Sequence, residues 1–274
     1  MTPLQPSWTT ELHTWSVALR AAGRARQTIT LRTYHVARLA CWAAPRGPWD
    51  LTLDDLTGFM GDHRWRRATV RSYRASLRAF YAWAVLTERV ERSPAAGLPS
   101  PGAIRPEPHP TPEDAYRLAL AIARPRERLM LRLAADLGMR RGEVALVHSR
   151  DISRDLLGWS LLVHGKGDRT RVVPLPDDLA RRLRARPPGW AFPGDVDGHL
   201  SARWVGRLVS RLLPEGWSMH SLRHRFATKA WGVDHDLLTV QELLGHASPV
   251  TTRAYVPADV DVMRRHVDAV SALR

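Results

Sequence analysis

Up to about residue 90 the apolar positions of this chain recur at helical spacing. Leu12, Trp15 and Leu19 make one such series, and Tyr34, Ala37 and Cys41 another. A shorter helix is expected from Leu53, with Thr52 as its cap. The clearest helix runs from about Ala68 to Glu88, with Val70, Tyr73, Leu77 and Phe80 as its apolar stripe. On a neighbouring face of the same helix Arg67, Arg71, Arg74 and Arg78 repeat at the same interval. Such a stripe fits a phosphate backbone or an ordinary solvated face, and both readings stay open.

Between Ser93 and Pro112 the pattern stops. Pro94, Pro99, Pro101, Pro106, Pro108, Pro110 and Pro112 exclude a regular helix or a central strand, because proline lacks an amide donor and fixes its own φ. The expected organisation is a helical domain over 1–93, a semi-extended linker over 94–110, a second domain over 111–256 and a tail over 257–274. Thr111, ahead of Pro112, Glu113 and Asp114, reads as the cap of the next helix. Another helix is expected from about Arg126 to Leu137, closed by Gly138. Trp159–His164 and Thr170–Leu175 are strand-like and flank a glycine-bounded polar loop, so they predict a hairpin. Helices return near Ser201–Leu213, His220–Trp231, Asp236–Leu244 and Pro249–Tyr255, with Gly245 as the C-cap of the third. The fold class is mainly α, with a small antiparallel β-sheet in the C-terminal domain.

Composition narrows the partner. Of 274 residues, 44% are hydrophobic, enough for a real core. Lys+Arg number 41 against 27 Asp+Glu, a net charge of +14 that suits a polyanion, and nucleic acid is the first candidate. An anionic membrane surface is the second, but no apolar run has the length of a span, and the first twenty residues lack the pattern of a signal peptide. Cys41 stands alone, so neither an internal disulfide nor a cysteine-rich zinc site is expected. The reading is a cytoplasmic protein. Lys166 and Lys229 are the only lysines among many arginines, which makes each worth a question.

Breaking a phosphodiester without a metal needs fixed donors for the phosphoryl charge, a nucleophile, and an acid for the leaving oxygen. Arginine suits the first task, tyrosine the second, lysine or histidine the third. Arg140, Arg141 and Glu143 stand at the mouth of a helix after Gly138. Lys166 sits between two glycines, and His220 and Arg223 lie three apart on one helix face. His246 falls in a corner between two helices, and Tyr255 follows nine residues later.

Taken in order, these segments resemble the tyrosine recombinases. Gly138–Glu143 (GMRRGE) is similar to that family's first box, and Gly165–Leu175 (GKGDRTRVVPL) to its catalytic hairpin. His220–Thr228 (HSLRHRFAT) is similar to its His-x-x-Arg box, and Leu243–Ser248 with Thr251–Tyr255 to its closing segment. The likeness covers most of Thr111–Val256, and the helical first domain resembles the family's core-binding domain in pattern only. It implies that Arg140 and Arg223 clamp the scissile phosphate and that His220 and His246 bind or buffer protons at its oxygens. Lys166 would protonate the departing 5′ oxygen, Tyr255 would attack and hold the 3′ phosphate, and Glu143 would support Arg140 or a neighbouring histidine. Arg141 is ambiguous, and His224 is expected to face away from His220 and Arg223 in a structural role. Arg67, Arg71, Arg74 and Arg78 are the candidate DNA contacts of the first domain.

The resemblance implies double-stranded DNA as partner, no cofactor, no metal, and strand exchange through a four-way junction held by four protomers. The tail 257–274 would then pack on a neighbouring protomer or on its own domain. Because the likeness starts almost at the first helix, it points to the simple members: small phage integrases, mobile-element enzymes or Xer-type resolvases. Integration or excision of a mobile element is the expected use, and an accessory bending or directionality protein stays open. The rivals are a type IB topoisomerase and a DNA-binding regulator with a decayed catalytic domain, which would have lost a catalytic position. A metal-dependent nuclease would need more clustered carboxylates than Asp234 and Asp236.

Overall fold

The computed structural model describes residues 4–102, 108–165 and 169–245. The chain divides into two compact units, Met1–Ile104 and Arg105–Arg274. No described helix is long and apolar enough to cross a membrane.

The first unit contains α1 (Pro6–Ala21), α2 (Arg26–Ala43), α3 (Leu53–Gly61) and α4 (Arg67–Leu86). Thr52 caps α3 as expected: its side chain accepts from the Asp55 amide while the Asp55 carboxylate accepts from the Thr52 amide. That backbone bond, with Arg46 beside it, holds the Asp55 carboxyl at about 2. The core is aromatic. Phe80 on α4 meets Trp15 edge-on at 5.2 Å and stacks with Trp49 at 5.5 Å. On α2 the helix forms as predicted, but its buried face is Val36, Leu39, Ala40 and Ala43 with His35; Tyr34 and Cys41 are exposed. Long aromatic neighbours fill the core here, so the side toward them carries small and branched residues.

The proline-rich stretch is not free chain at its ends. Ala95 and Leu98 are buried in the first core. Arg74 donates to the Leu98 carbonyl at 2.9 Å and Arg71 to the Gly102 carbonyl at 2.9 Å, so two arginines of the α4 stripe spend donors on their own unit. Arg67 and Arg78 are exposed.

The second unit opens with α5 (Glu113–Ile122) and α6 (Pro125–Asp136), then a short α7 (Arg141–Ala145). Thr111 does not cap α5. Pro112 occupies the cap position, and Thr111 is buried, its hydroxyl donating to Ser221 Oγ at 2.7 Å. Strands β1 (Ile152–Arg154), β2 (Trp159–His164) and β3 (Thr170–Leu175) make one antiparallel sheet in the order β1-β2-β3, and the predicted hairpin is registered with His164 opposite Thr170. After it come α8 (Asp177–Arg184), β4 (Pro193–Val196), α9 (Ala202–Ser210), α10 (Met219–Asp234) and α11 (Leu237–Leu244). Leu131, Leu133, Val144, Leu161, Phe192, Val205 and Leu222 join these elements in one core. Lys229 pairs with Glu113 at 2.7 Å, and Arg225 joins the same carboxylate at 2.8 Å while lying over the Tyr116 ring.

Candidate active site

The site is built around one buried carboxylate. α6 ends at Asp136 with Leu137 as its C-cap, and Gly138 then turns the chain at φ +63°, delivering Arg140 and Glu143 to the start of α7. Glu143 is 3% exposed, and three guanidinium groups converge on it. Arg140 approaches through Nη1 at 2.7 Å and its amide at 2.8 Å. Arg171 on β3 makes a forked pair at 3.0 and 2.8 Å, and Arg223 on α10 lies 3.8 Å away. Burial pushes the Glu143 carboxyl up, but the bonds and charge of Arg171, followed by those of Arg140, outweigh it and hold the group below its ordinary value. It is an anion, and the cluster carries net positive charge.

The arginines are also tied to the backbone. Arg223 is 1% exposed and donates to the carbonyls of Gly138 at 2.5 Å and Leu244 at 2.6 Å. Arg140 reaches Leu244 O at 3.3 Å, and Arg171 reaches Leu243 O at 2.8 Å. Those carbonyls belong to the last turn of α11, which Gly245 closes at φ +62° as predicted. Glycine is required there for space as well: a Cβ would lie 2.9 Å from Arg171 Cδ.

His220 enters from the first turn of α10. Ser218 is the N-cap, its hydroxyl accepting from the His220 amide. Partial burial, then the charges of Arg223 and Arg140, hold the His220 imidazole below its ordinary value, so it is neutral at pH 7. The expectation that His224 faces away from His220 is wrong. Residues four apart on a helix share a face, and the two rings meet edge-on at 4.5 Å. His224 is buried and its Nδ1 accepts from the His109 amide at 3.0 Å, so the end of the proline-rich stretch is fastened beside His220. Burial, with His220 next, lowers the His224 imidazole to about 4.

Above this floor opens a cleft of about 660 Å³, lined among others by Arg140, Arg141, Arg203, Arg207, His220 and Arg223. Among the described residues its lining holds no carboxylate, which suits it to an anion. Gly206 on α9 lets Arg141 lie across that helix, since a Cβ would stand 3.3 Å from Arg141 Cδ.

Four residues expected from sequence thus come together: Arg140, Glu143, His220 and Arg223. Lys166, His246, Tyr255 and the tail lie outside the described residues. Arg67, Arg71, Arg74 and Arg78 belong to the other unit. Sequence reading missed Arg171, although the signal was present. Arg171, Val173 and Leu175 share one face of β3, and the last two are buried, so an arginine on that face calls for a buried anion. Arg203 and Arg207 were missed too; four apart on α9, they look like surface charge until the cleft is seen.

Comparison with known proteins agrees with this architecture. A family model described as the phage integrase family matches residues 111–261. The tyrosine recombinase XerC of Xanthomonas campestris pv. campestris (strain B100) is 33% identical over 265 residues, covering 88% of this chain and 82% of that protein. XerC of Xylella fastidiosa (strain 9a5c) is 30% identical over 270 residues, covering 90% and 91%. In fold, a lambda integrase dimer bound to a COC′ core site is similar with a TM-score of 0.72 at 17% identity, covering 90% of this chain and 76% of that one. XerH bound to difH substrate before cleavage is similar at 0.69 and 20%, covering 90% and 80%. The chain belongs to the phage integrase family of tyrosine recombinases, enzymes that cut and rejoin DNA.

Proposed function

We propose that this protein recombines double-stranded DNA at a specific site through a covalent bond between Tyr255 and a 3′ phosphate. The observation that carries the reading is the arginine cleft, without a carboxylate among its described lining residues, over a buried Glu143 and with a neutral imidazole at its edge. Arg140 and Arg223 clamp the non-bridging oxygens of the scissile phosphate, as planar forks suit. The Tyr255 phenol attacks phosphorus, the bond from phosphorus to the 5′ oxygen breaks, and Lys166 gives that oxygen its proton. The phenol proton passes to a neutral imidazole, of which His220 is the described one, while His246 serves the oxygens from the closing segment. A DNA hydroxyl reverses the step because the phosphotyrosine keeps the bond energy, so the scheme uses neither ATP nor a metal ion.

Exposed Arg67 and Arg78, with what Arg71 and Arg74 leave free, run along the phosphate backbone from the first unit, which binds the core site. Four protomers act on a four-way junction; a tetramer of lambda integrase, similar in fold, is bound to a Holliday junction. The use proposed is integration or excision of a mobile element. The XerC relatives support a second reading, resolution of replicons, and the DNA flanking the gene separates the two.

The test is a nicked suicide duplex that loses its 5′ end after cleavage. The protein should accumulate a covalent adduct, and Tyr255→Phe should bind the duplex as well but form none. An adduct from the Phe variant would remove Tyr255 from the role.

A further inference from the structure

Arg171 has no part in the reaction as outlined, yet it is the cation that makes a forked pair with Glu143. We propose that Arg171 is a positioning residue: by occupying both oxygens of Glu143 and the Leu243 carbonyl, it keeps Arg140 and Arg223 directed at the bound phosphate. This rests on the recombinase reading above.

The geometry makes the argument. Glu143 offers two oxygens in a dry setting, where a carboxylate draws in every cation within reach. Arg171 binds both of them, at 3.0 and 2.8 Å, and its side chain is 11% exposed. Both described side-chain bonds of Arg140 therefore run through Nη1, while the side chain stays 42% exposed and lines the cleft. Remove Arg171, and among the described residues Arg140 and Arg223 are left to neutralise the buried carboxylate. Arg140, the less tethered, would fold down onto Glu143 and leave the cleft. The Nε bond of Arg171 to Leu243 O adds a second effect. It ties β3 to the last turn of α11, whose next carbonyl, Leu244 O, receives both Arg140 and Arg223. One side chain thus sets the carboxylate and the carbonyls against which the two clamping arginines are aligned.

The experiment compares wild type, R171A, E143Q and R171A/E143Q on the nicked suicide duplex. Single-turnover adduct formation is measured at saturating DNA, and binding by fluorescence anisotropy. R171A should bind DNA with unchanged affinity but form the adduct ~10²–10³-fold more slowly, the loss expected when a charge-stabilising donor is misdirected. Deleting the stray carboxylate as well should restore about tenfold of that loss, a coupling typical of contacting charges. A residue that only held the fold together would make the double variant worse. The pH profile gives a second readout. Without Arg171, burial raises the Glu143 carboxyl, so R171A should quicken as pH falls toward about 6, whereas wild type does not. If R171A does not fold, R171M and R171M/E143Q, which keep the side-chain volume, carry the same comparison. Cleavage by R171A at the wild-type rate, or a double variant no faster than R171A, overturns the proposal. Absence of any adduct from wild type would instead overturn the recombinase reading, and this inference with it.

Discussion

Gly138 is where backbone conformation, packing and the cleft meet, and Gly138→Ala should be among the most damaging single-methyl changes in the second unit. The residue sits at φ +63°, a conformation that costs an L side chain roughly 1–2 kcal/mol. The added Cβ would stand 2.4 Å from Phe226 Cδ1 and 2.9 Å from Leu244 Cδ2, so a ring and a core leucine must both shift. Overpacking of that kind costs about 1–3 kcal/mol, and together the two effects come to about 2–5 kcal/mol. With a urea m-value of about 2 kcal/mol/M, the midpoint should fall by about 1–2.5 M. Because the chain has two units, the assay is hydrogen exchange by mass spectrometry across a urea series, read on peptides spanning α6, α7 and α10. Gly142→Ala is the internal control. It lies within α7, a Cβ there would meet Ala202 Cβ at 4.0 Å and nothing nearer among the described residues, and the change should stabilise by about 0.5–1 kcal/mol. A Gly138→Ala midpoint within 0.2 M of wild type, about 0.4 kcal/mol, would refute the reasoning.

Two further outcomes follow from the charges. His224 titrates at about 4 and His220 also below its ordinary value of 6.5, so the unfolded chain binds more protons than the folded one between these limits. Stability of the second unit should therefore fall as pH drops from about 6.5 toward 4, and His224→Gln should flatten that dependence in pH-stepped urea titrations; an unchanged profile would contradict the buried-histidine account. In the first unit, Arg67→Ala/Arg78→Ala should reduce the slope of log affinity against log salt by about 1.8, twice 0.9, if each arginine meets one phosphate, and an unaltered slope would assign them to solvent.

What was legible in the sequence was local. The α4 stripe, the Thr52 cap, the β2–β3 hairpin and the Gly245 C-cap each rest on residues a few positions apart. Less was legible where a partner lay far along the chain. Thr111 looks like a cap until its hydroxyl is seen bound to Ser221, 110 residues on, and the bonds of Arg71 to the Gly102 carbonyl and of Arg74 to the Leu98 carbonyl span 31 and 24 residues that no local pattern links. β1 is three residues long and carries no periodicity to read. α8, by contrast, was announced by Pro176, Asp177 and Asp178 and passed over. Within the site, helix spacing was sufficient to bring His224 beside His220, and strand alternation to turn Arg171 inward; both signals were present and neither was followed.

The carbonyl end of α11 has a consequence for how the protein fails. The negative pole of that helix meets three guanidinium groups, from the N-cap of α7, from β3 and from α10. Fraying of its final turn and dismantling of the cleft floor are therefore a single event. Guanidinium chloride supplies the same cation in solution, as a direct competitor for those oxygens, whereas urea brings no charge. Inactivation by the salt should accordingly set in ahead of global melting, while in urea the two should coincide.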